Sequence, residues 1–208
     1  MNATEAWERY ASNARRRRQV NAAGASTWLN WTQYPDHGPD ESVLGELAGR
    51  RVLELGSGTG SNLAHLATLG AVCTGVDLAP SRTQAAADQW GQLPGLEFVT
   101  ANAVDFLTET NETFDVVYSI FGAVWFTDPS VLLPLVRNQM HPDGVFVFSH
   151  LPASEAGVVT GRAVSKWKYP AEQWVRVLAA VGFSATADVV APPDGQRVGT
   201  LVVRASVA

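Results

Sequence analysis

The distribution of apolar residues along the chain changes near residue 50. From Arg51 onward, short apolar runs alternate with segments in which apolar residues recur every three or four positions. Short apolar runs bounded by turn residues predict buried strands, and the longer period predicts amphipathic helices. Their regular alternation predicts an α/β fold built on a mostly parallel sheet.

The same pattern places the individual elements. The predicted strands cover residues 51–55, 72–77, 96–99, 114–120 and 145–148, and strands at 183–190 and 198–203 close the sheet as an antiparallel pair. Helix starts are marked by Pro80, by Asp128 followed by Pro129, and by Pro170. Pro134 falls inside a predicted helix, and we expect it to kink or shorten that helix.

Composition and charge narrow the class of protein. The 208 residues are 46% hydrophobic and 17% charged, which suits one folded domain. With a net charge of −5, no nucleic-acid partner is expected, and the basic run at 15–18 is interpreted as a solvated helix face. The lone Cys73, with no evident signal peptide and no long apolar run, predicts a cytoplasmic protein without a membrane partner.

A glycine-rich segment after the first strand is the main candidate for chemistry. Gly56, Gly58 and Gly60 lie between that strand and a predicted helix. Glycine permits a tight turn and a close approach of backbone to a ligand, and the helix N-terminus adds free N–H groups. Asp77 ends the second strand, 21 residues after Gly56, at the spacing of a carboxylate that binds the hydroxyl groups of a ribose.

Three classes of ligand use a loop of this kind. A nucleoside triphosphate loop requires Gly-Lys-Ser/Thr, whereas Gly60 is followed by Ser61 and Asn62. A dinucleotide loop requires glycine or alanine where this chain has Ser61. Glu54, beside the loop, would repel a pyrophosphate but suits a cationic ligand. We therefore favour S-adenosylmethionine, which carries adenosine, a sulfonium and an ammonium group.

Over roughly residues 50 to 150 the chain resembles the class I S-adenosylmethionine-dependent methyltransferases of small-molecule type. The segments that carry the resemblance are VLELGSGTG (52–60), TGVDLAP (74–80), FVTANAVDF (98–106), FDVVYS (114–119) and HPDG (141–144). The resemblance implies a doubly wound, mostly parallel, seven-stranded sheet with an antiparallel last strand and helices on both faces. It also implies S-adenosylmethionine as the cofactor, S-adenosylhomocysteine as the product, and no metal.

The resemblance further implies a role for each residue of the cofactor site. The methionine part is expected to be held by Glu54, Gly56, Ser57, Gly58, Thr59 and Gly60. Asp77 is expected to hold the ribose and Leu78 to lie against the adenine, while Asn102 and Ala103 bond the adenine edge and Ser119 lies near the methyl group. Asn102 stands where the family often has aspartate, but an amide oxygen still accepts a hydrogen bond.

The acceptor site is expected beyond the carboxyl ends of the strands, where ligands bind in open α/β sheets. Phe121 and Trp125 follow the fourth strand and are interpreted as part of an apolar acceptor pocket. His150 ends the fifth strand and is our candidate general base, which is needed only if the acceptor must lose a proton.

The first 45 residues are predicted to form a lid or cap, and residues 46–208 the methyltransferase domain, within a single overall domain. The aromatic segment 28–35 is interpreted as the part of the lid that excludes water. Contacts to the acceptor are predicted from Trp31, Tyr34 and His37.

The expected function is methyl transfer to an oxygen or nitrogen atom of a small acceptor, such as a secondary metabolite. Two alternatives from other classes remain open. The chain could be a non-catalytic protein that binds the cofactor and regulates a partner, or an NAD-dependent oxidoreductase that shares the fold and Asp77. The identity of the acceptor and the oligomeric state are not predicted.

Overall fold

A computed structural model describes residues 2–13, 18–161 and 163–208. The strands, numbered in chain order, are β1 (Arg51–Leu55), β2 (Val72–Asp77), β3 (Leu96–Thr100), β4 (Phe114–Ile120), β5 (Met140–His150), β6 (Gly157–Thr160), β7 (Ser165–Lys168), β8 (Phe183–Val190) and β9 (Thr200–Val207). The helices are α1 (Ala3–Asn13), α2 (Ser61–Thr68), α3 (Pro80–Trp90), α4 (Ala103–Glu109), α5 (Ala123–Phe126), α6 (Pro129–Asn138) and α7 (Ala171–Ala179). A short 3₁₀ helix covers Glu41–Leu44.

Within these described residues, seven strands form one sheet in the order β3-β2-β1-β4-β5-β9-β8. The strands from β1 to β5 pair in parallel, and β9 runs antiparallel to both of its neighbours, β5 and β8. The predicted doubly wound sheet with a reversed last strand is confirmed. The strand order reverses between β1 and β4, and a crevice for ligands is expected at the carboxyl ends of the strands there.

The core is divided between the two faces of the sheet because neighbouring side chains of a strand point in opposite directions. Leu53 and Val117 point to one face, where buried residues of α4, α6 and α7 cover them. Val52 and Val116 point to the other face, where α2 packs. The second face is also covered by a segment before the sheet, and its buried members are Leu29, Trp31, Leu44 and Leu47.

The helix ends follow local chemistry. The side chain of Asp128 accepts a hydrogen bond from the backbone of Ser130 (2.9 Å) and caps α6, as the sequence predicts. Pro134 lies inside α6, which ends four residues later at Asn138. Three features differ from the sequence prediction: β5 is longer at both ends, β9 covers Thr200–Val207 instead of 198–203, and β6 pairs with β7 as a separate hairpin.

In the described parts of the chain, no helix has the length and apolar character needed to cross a membrane. Those same parts contain no cluster of histidine, cysteine and carboxylate side chains placed to hold a metal ion. Of the basic run at 15–18, only Arg18 lies within the described residues, and its guanidinium pairs with Asp36. The expected helix face on residues 15–17 lies outside the described residues.

Candidate cofactor and acceptor site

A cavity of about 510 Å³ opens at the carboxyl ends of β1, β2 and β4. Its floor is formed by the loop between β1 and α2 and by the residues that follow β2, β3 and β4. Helix α1 and the end of the β6–β7 hairpin complete its walls. Among the residues predicted from the sequence, the cavity is lined by Glu54, Gly56, Ser57, Gly58, Thr59, Asp77, Leu78, Asn102, Ala103 and Phe121.

The glycine loop reaches the cavity because its backbone adopts conformations that other residues avoid. Gly56, Gly58 and Gly60 have φ angles of 80°, 57° and 71°. A Cβ atom on Gly56 would lie 2.6 Å from the backbone nitrogen of Ala123, so the loop packs directly on the chain that follows β4. A Cβ atom on Gly58 would meet nothing within 4 Å, so this glycine keeps space open beside the cavity. The loop is therefore shaped to admit a ligand against its backbone.

Two carboxylates face this loop from neighbouring strands. Glu54 of β1 lines the cavity, although its side chain is only 2% exposed. Asp77 of β2 accepts hydrogen bonds from the backbone nitrogens of Gly58 (2.8 Å) and Ala79 (2.9 Å). Burial raises the pKa of Asp77, and these two hydrogen bonds oppose that rise. Two carboxylates in a partly enclosed cavity favour a ligand that brings hydroxyl donors and positive charge.

The polar groups around the loop fit S-adenosylmethionine. Ser57 contributes a buried hydroxyl oxygen that has no hydrogen-bond partner among the described residues, although it lies at the cavity wall. Buried polar groups are normally satisfied, so a ligand group is expected there. Asn102 accepts a hydrogen bond from the backbone of Val104 (2.8 Å) and caps α4, whose first residue, Ala103, lines the cavity as Leu78 does.

Two residues that are predicted to contact the cofactor, Gly60 and Ser119, support the glycine loop in the described structure. Gly60 starts α2 with a left-handed conformation, and a Cβ atom there would meet the ring of Phe98 at 2.4 Å. The hydroxyl of Ser119 is buried and donates to the carbonyl of Leu55 (2.7 Å), which ties β4 to β1 below the loop. Neither residue lines the cavity within the described chain, and direct contact with a cofactor stays a prediction for both.

Aromatic rings form a further part of the cavity lining, which we call the aromatic end. Phe121 follows β4 with a φ angle of 49°, which is unusual for a residue other than glycine. Trp7 of α1 packs edge-on against Phe126 with ring centroids 4.7 Å apart. Tyr10 and Trp167 also line the cavity. This end of the cavity is suited to an acceptor with an apolar face.

Helix α1 covers the cavity, a role that the sequence analysis gave to residues 28–35. Ala3, Trp7 and Tyr10 lie on one face of α1 and line the cavity, since residues three and four apart are neighbours on a helix. The spacing of Trp7 and Tyr10 was the signal that could have identified this helix. Arg82 and the β6–β7 hairpin, which line the cavity, were also missed by the sequence analysis. So was Trp90, whose indole donates a hydrogen bond to the carbonyl of Thr59 in the glycine loop (3.1 Å).

The three predicted lid residues pack elsewhere in the described structure. Trp31 is buried on the second face of the sheet, and its indole donates to the carbonyl of Asp40 (3.2 Å). The hydroxyl of Tyr34 donates to the carbonyl of Val198 (2.8 Å), and His37 donates to the carbonyl of Ala191 (2.7 Å). None of these hydrogen bonds is made at the cavity. A contact between the acceptor and any of the three residues stays a prediction.

His150 and Trp125 form a buried stack behind the cavity. Their rings are nearly parallel, with centroids 5.3 Å apart. The Nδ1–H of His150 donates to the carbonyl of Leu151 (2.7 Å), and burial lowers the pKa of His150 to about 4. The imidazole is therefore neutral at neutral pH. Trp125 packs edge-on against Phe121 (5.8 Å), so the stack supports a cavity wall. A base role for His150 stays a prediction.

Comparison with known proteins agrees with this geometry. Residues 53–148 match the family model described as a methyltransferase domain. A ubiquinone biosynthesis O-methyltransferase of Xanthomonas oryzae pv. oryzae is 31% identical over 125 residues, which cover 56% of this chain and 50% of that protein. The chain thus spans about half the length of the curated relatives it matches.

Solved structures share the fold. The 1,6-didemethyltoxoflavin-N1-methyltransferase of Burkholderia thailandensis, solved with S-adenosylhomocysteine, superposes with a TM-score of 0.66 at 21% identity, covering 81% of this chain and 74% of that one. An S-adenosylmethionine dependent methyltransferase of Mesorhizobium loti gives a TM-score of 0.64 at 21% identity, with 80% and 94% covered. These structures show that the chain has their Rossmann-like fold, and residues 53–148 match a methyltransferase domain, so the resemblance found in the sequence is confirmed.

Proposed function

We propose that this protein transfers a methyl group from S-adenosylmethionine to an oxygen or nitrogen atom of a small acceptor with an apolar face. The observation that carries the proposal is the pairing of Glu54 and Asp77 around the glycine loop in one cavity. A cofactor with a ribose, an ammonium and a sulfonium satisfies both carboxylates, whereas a pyrophosphate beside Glu54 would be repelled. The cytosol is the location expected of such an enzyme.

The residues of the chain have separate tasks in this proposal. Asp77 accepts hydrogen bonds from the ribose hydroxyls, and Glu54 with the loop backbone holds the amino-acid part. Leu78 and Ala103 flank the adenine, and the amide oxygen of Asn102 is available to its amino group. The bound cofactor supplies an activated methyl group. Much of the rate then comes from orientation in a site from which water is excluded.

The aromatic end of the cavity orients the acceptor. Trp7 of α1 and Phe121 after β4 form walls that exclude water and hold a flat apolar group. The names of the relatives include both an O-methyltransferase and an N1-methyltransferase, so the acceptor atom is proposed only as oxygen or nitrogen. Secondary metabolites are the acceptor class that we would screen first.

The two alternatives are not favoured by the comparisons. The matching family model and the similar proteins are methyltransferases. An NAD-dependent oxidoreductase would require a pyrophosphate beside Glu54. A non-catalytic protein of the same fold would bind the cofactor and leave every acceptor unchanged.

Calorimetric titration tests the cofactor site directly. S-adenosylmethionine, S-adenosylhomocysteine and NADH are titrated into the purified protein and into variants of Asp77. We expect the first two ligands to bind, and Asp77→Ala to weaken both by about tenfold or more, because a charged acceptor of hydrogen bonds is lost. Asp77→Asn keeps one of the two acceptor oxygens that Gly58 and Ala79 use and loses the negative charge, and it is expected to bind with intermediate affinity.

The matched control is Asp188→Ala, which removes an exposed carboxylate on β8, and it is expected to bind like the unmodified protein. Circular dichroism checks that each variant is folded. Binding of NADH alone would overturn the proposal and assign the site to a dinucleotide. A folded protein that binds none of the three ligands would equally contradict it.

A further inference from the structure

The β6–β7 hairpin lies outside the main sheet and has little core of its own. All four residues of β6 are exposed, and Val158 and Val159 keep 49% and 51% of their surface in solvent. No residue of β7 is fully buried, and both strands are described throughout. A two-stranded hairpin is at best marginally stable by itself in water. Its position must therefore depend on contacts with the rest of the protein.

One side of the hairpin faces the cavity. Val164, Ser165 and Trp167 line the cavity. Side chains alternate along a strand, so Lys166 and Lys168 point away from the side that carries Ser165 and Trp167. The hairpin therefore presents one face to a ligand and the other face to α5.

Lys166 contacts α5 through its ammonium group. Its Nζ lies 4.1 Å from the centroid of the Trp125 ring and 5.4 Å from that of Phe126. An ammonium within about 6 Å of an aromatic ring is attracted to the face of the ring, and more strongly when it is partly desolvated. Lys166 is partly buried, and this desolvation, followed by the charge of Lys168, lowers its pKa.

The two rings under Lys166 are themselves fixed in place. Trp125 is buried, stacks on His150 and packs edge-on against Phe121, which lines the cavity. Phe126 packs against Trp7 of α1, which lines the cavity from the other side. The ammonium of Lys166 thus connects the hairpin to the residues that hold two other walls of the same cavity.

We propose that Lys166 is a positioning residue that holds the β6–β7 hairpin as a wall of the acceptor site through its contact with Trp125 and Phe126. The inference names an acceptor and to that extent rests on the proposed function. The position of the hairpin itself does not depend on methyl transfer. Trp167 and Ser165 are then the hairpin groups that meet the acceptor, an indole ring against its apolar face and a hydroxyl against a polar atom.

Hydrogen–deuterium exchange on the protein without ligand tests the anchor. Amides of residues 157–168 are compared in the unmodified protein, Lys166→Met, Lys166→Arg and Lys168→Met. Methionine keeps the length of the side chain and removes the charge, so we expect about fivefold faster exchange of the hairpin amides. Arginine also stacks on aromatic rings, and exchange in Lys166→Arg is expected to stay within twofold of the original. Lys168→Met, on the same face of the strand, is expected to leave exchange unchanged.

Three results would overturn the inference: unchanged exchange in Lys166→Met, equal acceleration in Lys168→Met, or unprotected hairpin amides in the unmodified protein. Once an acceptor is identified, Lys166→Met is expected to raise its KM about fivefold with little change in the KM of the cofactor. An equal loss for both substrates would contradict a positioning role. Calorimetry with S-adenosylhomocysteine separates the two claims, because its failure counts against the proposed function and leaves the exchange result intact.

Discussion

Glu8 of α1 accepts a hydrogen bond from the backbone nitrogen of Ser81 in the first turn of α3, at 2.9 Å. Ala79, which precedes α3, has no side chain able to cap the helix, so the carboxylate of Glu8 supplies that cap from another element. Asp77 lies at the end of the strand that leads into α3. The cover of the cavity is thus attached next to the carboxylate proposed to hold the ribose.

Substitution of Glu8 tests this attachment of α1. Glu8→Ala is expected to accelerate hydrogen exchange of residues 3–13 and to weaken binding of S-adenosylhomocysteine a few fold, since α1 has no fully buried residue to hold it in place. Glu8→Gln keeps an acceptor for Ser81 and is expected to have a smaller effect. Unchanged exchange of α1 in Glu8→Ala would mean that other contacts hold the helix.

The same contact gives α1 a dependence on pH. The hydrogen bonds with Ser81 lower the pKa of Glu8 below its ordinary value of 4.5. A depressed pKa in the folded protein means that the contact stabilises α1 above pH 4.5 and that this contribution is lost as pH falls through the lowered value. Protection factors of the α1 amides, corrected for the intrinsic exchange rate at each pH, are expected to fall toward acid in the unmodified protein and to stay level in Glu8→Gln.

Phe121 has a strained backbone conformation, and its ring lines the cavity. A residue other than glycine in the left-handed region costs about 1–2 kcal/mol, and Phe121 has a φ angle of 49°. Phe121→Gly and Phe121→Ala both remove the cavity wall, but only glycine also removes the strain. Urea unfolding is therefore expected to find Phe121→Gly more stable than Phe121→Ala by about 1 kcal/mol. Equal stability of the two variants would contradict the strain.

Both Phe121 variants are expected to keep binding S-adenosylhomocysteine and to lose methyl transfer once an acceptor is known. The ring belongs to the aromatic end of the cavity, and both variants keep the two carboxylates and the glycine loop. Full methyl-transfer activity in Phe121→Gly would contradict the proposed role of the ring in the acceptor site.

The glycine loop offers a matched pair of substitutions. Gly56→Ala places a methyl group 2.6 Å from the backbone of Ala123, so this change is expected to destabilise the fold well beyond the cost of a positive φ. Gly58→Ala meets nothing within 4 Å and is expected to cost only about 1–2 kcal/mol. Its methyl group would instead occupy space needed by the ligand. Calorimetry is expected to show about tenfold weaker binding of S-adenosylhomocysteine by Gly58→Ala, and unchanged affinity would contradict the placement of the ligand.

His150 is expected to make the protein sensitive to acid. Its pKa falls from 6.5 to about 4 because the ring is buried, so the folded protein binds fewer protons than the unfolded chain. The contribution of His150 to the free energy of unfolding is therefore fully present above about pH 6.5. It is lost as the pH falls toward 4, and the loss amounts to about 3 kcal/mol. His150→Phe keeps a ring between Trp125 and Trp174 and is expected to flatten this part of the pH profile. A profile that keeps its slope in the variant would contradict the assignment.

Much of the fold could be predicted from the sequence because its elements are strongly periodic. The apolar run at β4 and the glycine loop after β1 mark their positions within a few residues. Asp128 and Pro129 mark the start of α6, because capping is decided by neighbouring residues. That Glu54 and Asp77 line one cavity could be predicted from the same local signals, since both lie at the carboxyl ends of adjacent parallel strands; their contact with a cofactor stays a prediction.

The walls of the cavity could not be predicted in the same way. Trp7 and Trp31 are both tryptophans of the first 45 residues, yet one lines the cavity and the other is buried on a face of the sheet. Which of them covers the site depends on how a segment without sheet pairing docks on the domain. The β6–β7 hairpin was missed because its strands are short, and its position depends on long-range contacts such as that between Lys166 and Trp125.

A crystal structure of the complex with S-adenosylhomocysteine tests the proposed cofactor site most directly. We expect the ribose hydroxyls within hydrogen-bond distance of Asp77, the amino-acid part at Glu54 and the glycine loop, and the sulfur facing Phe121. Ligand density elsewhere on the molecule, or a ribose away from Asp77 in this cavity, would contradict the proposed site.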